Sequence, residues 1–383
     1  MSGPARTYLD ATSSEPLRPA ARAALVSALA DGWADPTRLH FEARRARLLW
    51  DEARESVAAE LRCRADEVSF PASGTAAVRI GLRGLLLGRR RAGDVLVHTV
   101  VEHSAVLRVS QEHATTGGGR CRKVGVAGDG RVLVDDLATA VREEGVAVLA
   151  CQWAGLESGA VQPVEEVAAI CGAAQVPWFA DLAAGAGRLP APDGWAVAAA
   201  SGHKWGGPAG VGVLAVRKSS RWRNPSPRDD RIDVRVAGFE NIPSVLAAAA
   251  ALRELAADRV MEKRQRALTD RLRVEVPRLI PDCEVVGPSG QRLPHVFSCS
   301  FLYVDGEALV QELDRLGFAV ASGSACTAST LEPSHVLTAM GLLTHGNIRV
   351  GLTADATASD VDRLLGVLPG VVASLRDRVG APQ

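Results

Sequence analysis

The sequence predicts an α/β protein with a mainly parallel sheet and helices on both faces, followed by a smaller α+β C-terminal domain. Three observations carry this prediction. From about residue 50 to 220, short β-branched runs alternate with amphipathic stretches, the pattern of consecutive βαβ units. A polar, proline-containing stretch at 219–233 then gives way to a long helical pattern at 243–279, which reads as the link to a second domain. A length of 383 residues also exceeds what one simple core accommodates.

In chain order, strands are expected at 67–70, 94–99, 146–151, 177–181, 196–200 and 212–217, with helices at 76–87, 134–144 and 164–174 between them. The linking helix is Ala-rich and buried in its first part, charged and solvated in its later part. The second domain shows a strand-like run at 295–303, a helix at 306–316, a strand at 319–321 and a closing helix from Ser359. In sheets of this kind ligands bind beyond the carboxyl ends of the strands, and every motif of interest in the first half falls there.

Composition excludes several function classes. Hydrophobic residues make up 47% and charged residues 23% of the chain, and 44 basic side chains balance 44 acidic ones. Neither a nucleic-acid nor a membrane partner is expected on that balance. The longest apolar stretch, such as 245–252, falls short of the roughly 20 residues that span a bilayer. The first ten residues lack the apolar run of a secretory signal, so a cytoplasmic protein is expected. Seven scattered cysteines without a C-x-x-C pair suggest neither a disulfide framework nor a zinc site. The histidines are dispersed, and nucleotide-binding glycine signatures are missing where a strand–helix turn would need them.

Lys204 lies in Ser201-Gly202-His203-Lys204-Trp205-Gly206-Gly207, after one apolar run and before another. Desolvation there lowers a lysine pKa and favours the neutral amine that forms a Schiff base; alternatively this is a plain glycine-rich turn. Ser73-Gly74-Thr75 sits between a strand and a helix, where free N–H groups suit a phosphate or form an ordinary cap. Asp181 ends a strand, placed to hold a pyridinium nitrogen protonated or to cap a helix. His103 follows another strand and either stacks on a flat ring or is structural.

In this order and spacing, the pieces resemble the cysteine desulfurases, within the class V aminotransferase branch of fold-type I pyridoxal-phosphate enzymes. The resemblance starts at Tyr8-Leu9-Asp10-Ala11-Thr12 and runs through Glu102-His103-Ser104-Ala105-Val106 and Ser201-Gly202-His203-Lys204 to Ile348-Arg349-Val350-Gly351. Its most specific part is Ser322-Gly323-Ser324-Ala325-Cys326-Thr327, followed by Leu331-Glu332-Pro333-Ser334-His335-Val336-Leu337. The resemblance implies pyridoxal 5′-phosphate on Lys204, Asp181 at the pyridine nitrogen and His103 as ring-stacking base. It further implies a phosphate held by Gly74, Thr75, Ser201 and His203, and Arg349 on the substrate carboxylate. Cys326 would receive sulfur from L-cysteine as a persulfide and pass it to an acceptor protein or small molecule, leaving L-alanine. A homodimer is implied as well, with an arm at 1–14 joining a small domain at 253–383, and a large cofactor-binding domain at 15–252.

The chain departs from the family pattern at three positions near the cofactor. Leu156 and Ala184 stand where an Asn and a Gln bond the ring oxygen, and Phe239 replaces a Thr that reaches the partner subunit's phosphate. Three readings follow: a slow desulfurase or one specialised to a single biosynthetic pathway, an enzyme that uses the fold on a different substrate with Gln152 or Trp153 replacing the lost contacts, or a low-activity paralogue that mainly binds partners. A class V aminotransferase or C–S lyase that does not use Cys326 is the rival chemistry.

Overall fold

In the computed structural model, which describes residues 6–323 and 333–381, the chain opens with strand β1 (Thr7–Tyr8) and helices α1 (Pro19–Asp31) and α2 (Phe41–Glu60). Next come β2 (Val68–Ser69), α3 (Gly74–Arg89), β3 (Val95–Thr99), α4 (Ser104–Thr115), β4 (Arg120–Val124), α5 (Val134–Val141), β5 (Val146–Ala150) and α6 (Val164–Ala174). The large sheet is completed by β6 (Trp178–Asp181), β7 (Val197–Ser201) and β8 (Gly212–Val216). Its strand order is β2-β8-β7-β6-β5-β3-β4. Neighbours from β7 to β4 pair in parallel, while β8 runs antiparallel to both β7 and β2.

Strands β3, β5, β6, β7 and β8 are buried along their whole length, because helices cover both faces of a parallel sheet. Helix α3 lies very close to it. A Cβ on Gly81 would stand 2.9 Å from the Phe179 ring and 3.0 Å from Leu214. That close seat fixes where the N-terminus of α3 meets the end of β7.

Helices α7 (Ile242–Ala257) and α8 (Arg259–Leu279) lead into β9 (Cys283–Val285), β10 (Val296–Phe301), α9 (Gly306–Arg315), β11 (Phe318–Ala319), α10 (His335–Met340), β12 (Asn347–Gly351) and α11 (Ala358–Arg378). The single helix expected over 243–279 is in fact two. The chain breaks at Asp258, whose φ of −88° and ψ of 76° leave the helical region and whose carboxylate caps α8 through Met261 N at 2.9 Å. One core cluster reaches from α2 through the sheet to Leu252, Leu255 and Met261. A second gathers Leu268, Leu272 and Val276 of α8 with Phe297, Val350 and Leu364, and also takes in Leu9. The N-terminal arm follows this second cluster: β1 pairs with β11, and Gly351 N donates to Leu9 O at 2.7 Å. Among the described residues, no helix is long and apolar enough to cross a membrane.

Candidate active site

The carboxyl ends of β3, β5, β6 and β7 open toward one region, and most of the motif residues stand there. Ser201 closes β7 and leads into a short 3-10 turn, Gly202–Trp205, that carries His203 and Lys204. Asp181 closes β6. His103 caps α4, its Nδ1 accepting from Ala105 N at 3.1 Å.

The α3 N-terminus and Ser201 form a tight cradle. A Cβ on Gly74 would lie 2.6 Å from Ser201 Cβ and 2.9 Å from its Oγ, so only glycine allows this approach. Ser73 caps the helix through Ala76 N at 3.1 Å, and Thr75 stays exposed in the first turn. Ser201 Oγ also lies 3.0 Å from His203 Nδ1. Burial, with Lys204 and His103 adding to it, pushes His203 down to about 4, so the imidazole is neutral near pH 7. Helix N–H groups, two hydroxyls and a neutral ring form a donor set suited to a phosphate.

Asp181 is a buried carboxyl whose Oδ1 accepts from Ala183 N at 3.0 Å. Burial pushes its pKa up, while His103 and Lys204 pull it back. Such a group binds a protonated ring nitrogen well, since the pairing offsets the cost of burying a charge.

Lys204 and Arg349 meet at the N-terminal arm. Lys204 Nζ donates to Thr12 O at 2.7 Å and Ser13 O at 3.0 Å. Arg349, 4% exposed on β12, donates through Nε to Thr12 Oγ1 at 2.8 Å. The arm itself is tied down by Glu15, whose carboxylate takes Arg188 at 2.8 Å and Ala354 N at 3.1 Å. Thr12 and Ser13 escape a reading by residue type, because only the fold brings them to Arg349.

The departures form ordinary packing. Leu156 and Ala184 belong to one apolar cluster with Ala154, Leu293 and Val296. Gln152 spends its amide N–H on Val101 O at 2.7 Å. Trp153 is 2% exposed and lies against Gly185. Phe239 is exposed, with the Arg231 guanidinium 4.7 Å above its ring. Cys326 lies outside the described residues. On its two sides, Gly323 N donates to Asn347 Oδ1 at 3.0 Å and Ser334 Oγ to Glu157 Oε2 at 2.5 Å.

Residues 7–364 match the aminotransferase class-V family. The chain belongs to that family. This class V protein is 33% identical to a cysteine desulfurase of Trichormus azollae, across 96% of its own length and 93% of the relative. It is 30% identical to the cysteine desulfurase NifS of Azotobacter vinelandii, with coverage of 97% and 94%. A solved NifS-like protein superimposes with a TM-score of 0.89 at 24% identity, over 96% of this chain and all of that one. The family's cofactor is pyridoxal 5′-phosphate, and the phosphate cradle, buried Asp181 and Lys204 amine fit it.

Proposed function

We propose that the protein is a pyridoxal-phosphate-dependent cysteine desulfurase, moving sulfur from L-cysteine to Cys326. The observation that carries this reading is the shared anchorage of Lys204 and Arg349 on Thr12 and Ser13. It sets an amine for the cofactor beside a guanidinium for a carboxylate, so an amino acid bridging the two is the natural ligand.

When bound, the cofactor supplies an electron sink for the substrate α-carbon. In this reading Ser201, His203, Thr75 and the backbone at Gly74 hold its phosphate, Asp181 holds its ring nitrogen, and His103 packs on its ring. Lys204 would hold the cofactor through its amine and would carry protons to and from the substrate α-carbon. Arg349 fixes the carboxylate and so the direction of the side chain. The Cys326 thiolate attacks the substrate sulfur: an S–S bond forms, the substrate C–S bond breaks, and the substrate carbon takes a proton to become alanine. The persulfide then passes to an acceptor, a carrier protein or a small thiol.

Exposed Trp33, Leu39, Phe41 and Leu48 on and beside α1 and α2 support a homodimer. A first core that runs on to Met261 and a second that starts at Leu268 and takes in Leu9 support two domains, with an N-terminal arm joining the second. The division is taken as an arm at 1–14, a large domain at 15–252 and a small domain at 253–383, with Leu255 and Met261 packing back on the first core. Free cysteines suit the cytoplasm, where thiols stay reduced. Borohydride reduction of the holoenzyme, followed by peptide mass spectrometry, tests the assignment. The cofactor mass is expected on the Lys204 peptide, and its attachment to another lysine would refute the reading.

A further inference from the structure

Glu102 is singled out by where its carboxyl goes. The residue is fully buried, directly before His103. Its Oε1 accepts from Thr99 Oγ1 at 2.6 Å and from Gln152 N at 2.9 Å. These partners sit at the end of β3 and just beyond β5, so one carboxyl ties together the two loops that flank the His103 turn. Its backbone carbonyl takes a further bond, from His335 Nε2 of α10 at 3.0 Å. The other carboxyl oxygen, Oε2, is buried with no hydrogen-bond partner among the described residues.

A buried carboxylate with one bare oxygen is costly, and a proton on that oxygen removes most of the cost. The surrounding groups act the same way. Asp181 on β6 faces it as a like charge, the nearby Cys151 thiol just after β5 is itself pushed up by burial and supplies no positive charge, and among the described residues no cation donates to the carboxyl. Burial and Asp181 together push Glu102 up to about 7 against the pull of its two donors.

We propose that Glu102 is a positioning residue held as a neutral acid up to about neutral pH: it fastens the turn that presents His103 and, in that range, leaves Asp181 as the one carboxylate offered to the cofactor. The inference rests on the assignment of His103 and Asp181 to the cofactor, but its first test does not. A carboxyl that stays protonated in the folded chain after losing its proton in the unfolded chain lowers stability as pH rises between the two pKa values. Gln at this position keeps an acceptor for Thr99 and Gln152 without that penalty.

The cofactor-free forms of wild type, Glu102→Gln and Glu102→Ala are therefore melted at about pH 5 and about pH 8. The melting temperature of Glu102→Gln is expected to gain on wild type between the two pH values. A Glu102→Gln protein that instead falls further below wild type at the higher pH would show a charged carboxylate and overturn the proposal. Cofactor titration by tryptophan fluorescence then reads positioning. Glu102→Gln should stay within about threefold of wild type, and Glu102→Ala should bind about tenfold more weakly. Normal affinity in Glu102→Ala would reduce Glu102 to a structural residue and overturn the positioning role. Thr99→Val, which removes one donor and keeps the shape, shows the same direction of loss where Glu102→Ala does not fold. A wild type that fails to take up pyridoxal phosphate would sink the cofactor reading alone, while the melts still decide the state of Glu102.

Discussion

Lys204 and Arg349 lie 145 positions apart in the sequence, yet both are bound to Thr12: the lysine takes its carbonyl, the arginine its hydroxyl. The arm reaches this point because it runs along β12, with Ala11 N donating to Gly351 O at 3.1 Å. Two side chains of the candidate site are thus tied to one short stretch of the arm.

Thr12→Val keeps the carbonyl for Lys204 and removes the hydroxyl from Arg349. A hydrogen bond to a charged group contributes about 1.5–3 kcal/mol, so KM for cysteine is expected to rise about tenfold or more. Cofactor affinity, measured by titration of the cofactor-free protein, should stay unchanged.

Asp181→Asn preserves shape and removes the charge. The loss of a charge-assisted bond to the ring nitrogen should weaken cofactor binding by roughly tenfold to a hundredfold. Turnover should fall further than affinity, because the ring is then a poorer electron sink. Steady-state rates at saturating cofactor separate the two effects.

Much of this architecture was legible in the residues. Strands such as β5, with the sequence VAVLA, announce themselves because both of their faces are covered. Strand β4, RCRKV, is the large-sheet strand that sequence reading missed: it lies at the sheet edge, mostly exposed, with three charged residues and no apolar run. The three-residue β9 and the five-residue β12 were missed as well, and neither shows a continuous β-branched run. The break at Asp258 was hidden because neither Gly nor Pro marks it. In the candidate site, the positions of Asp181 and Ser201 at strand ends could be read one by one. The contacts of Thr12, Ser13 and Glu102 could not, since they are made across the fold.

Glu15 and Arg188 form a pair only 2% and 1% exposed at their side chains. Glu15→Ala leaves a buried guanidinium uncompensated, and such losses cost about 3–5 kcal/mol. Urea unfolding of the cofactor-free protein is expected to show a correspondingly lower midpoint with little change in slope.

His203 is held neutral down to about 4 by burial, and buried His295 is pushed well below its usual value by the same cause. In the unfolded chain both take up protons as pH falls through about 6.5, while the folded chain resists. The unfolded state then binds more protons, so stability falls from about pH 6.5 toward 4. His203→Gln should flatten part of that fall, as read by denaturant midpoints at about pH 7 and about pH 5.

The most direct test of the account is the product assay. Purified holoenzyme is given L-cysteine, alanine is quantified, and persulfide on the Cys326 peptide is trapped by alkylation and identified by mass spectrometry, for wild type and Cys326→Ala. The account predicts alanine and a persulfide-bearing Cys326 in wild type, and in Cys326→Ala full cofactor loading with alanine formation lost. Equal alanine formation by Cys326→Ala would contradict it and point to a class V lyase that does not use the cysteine.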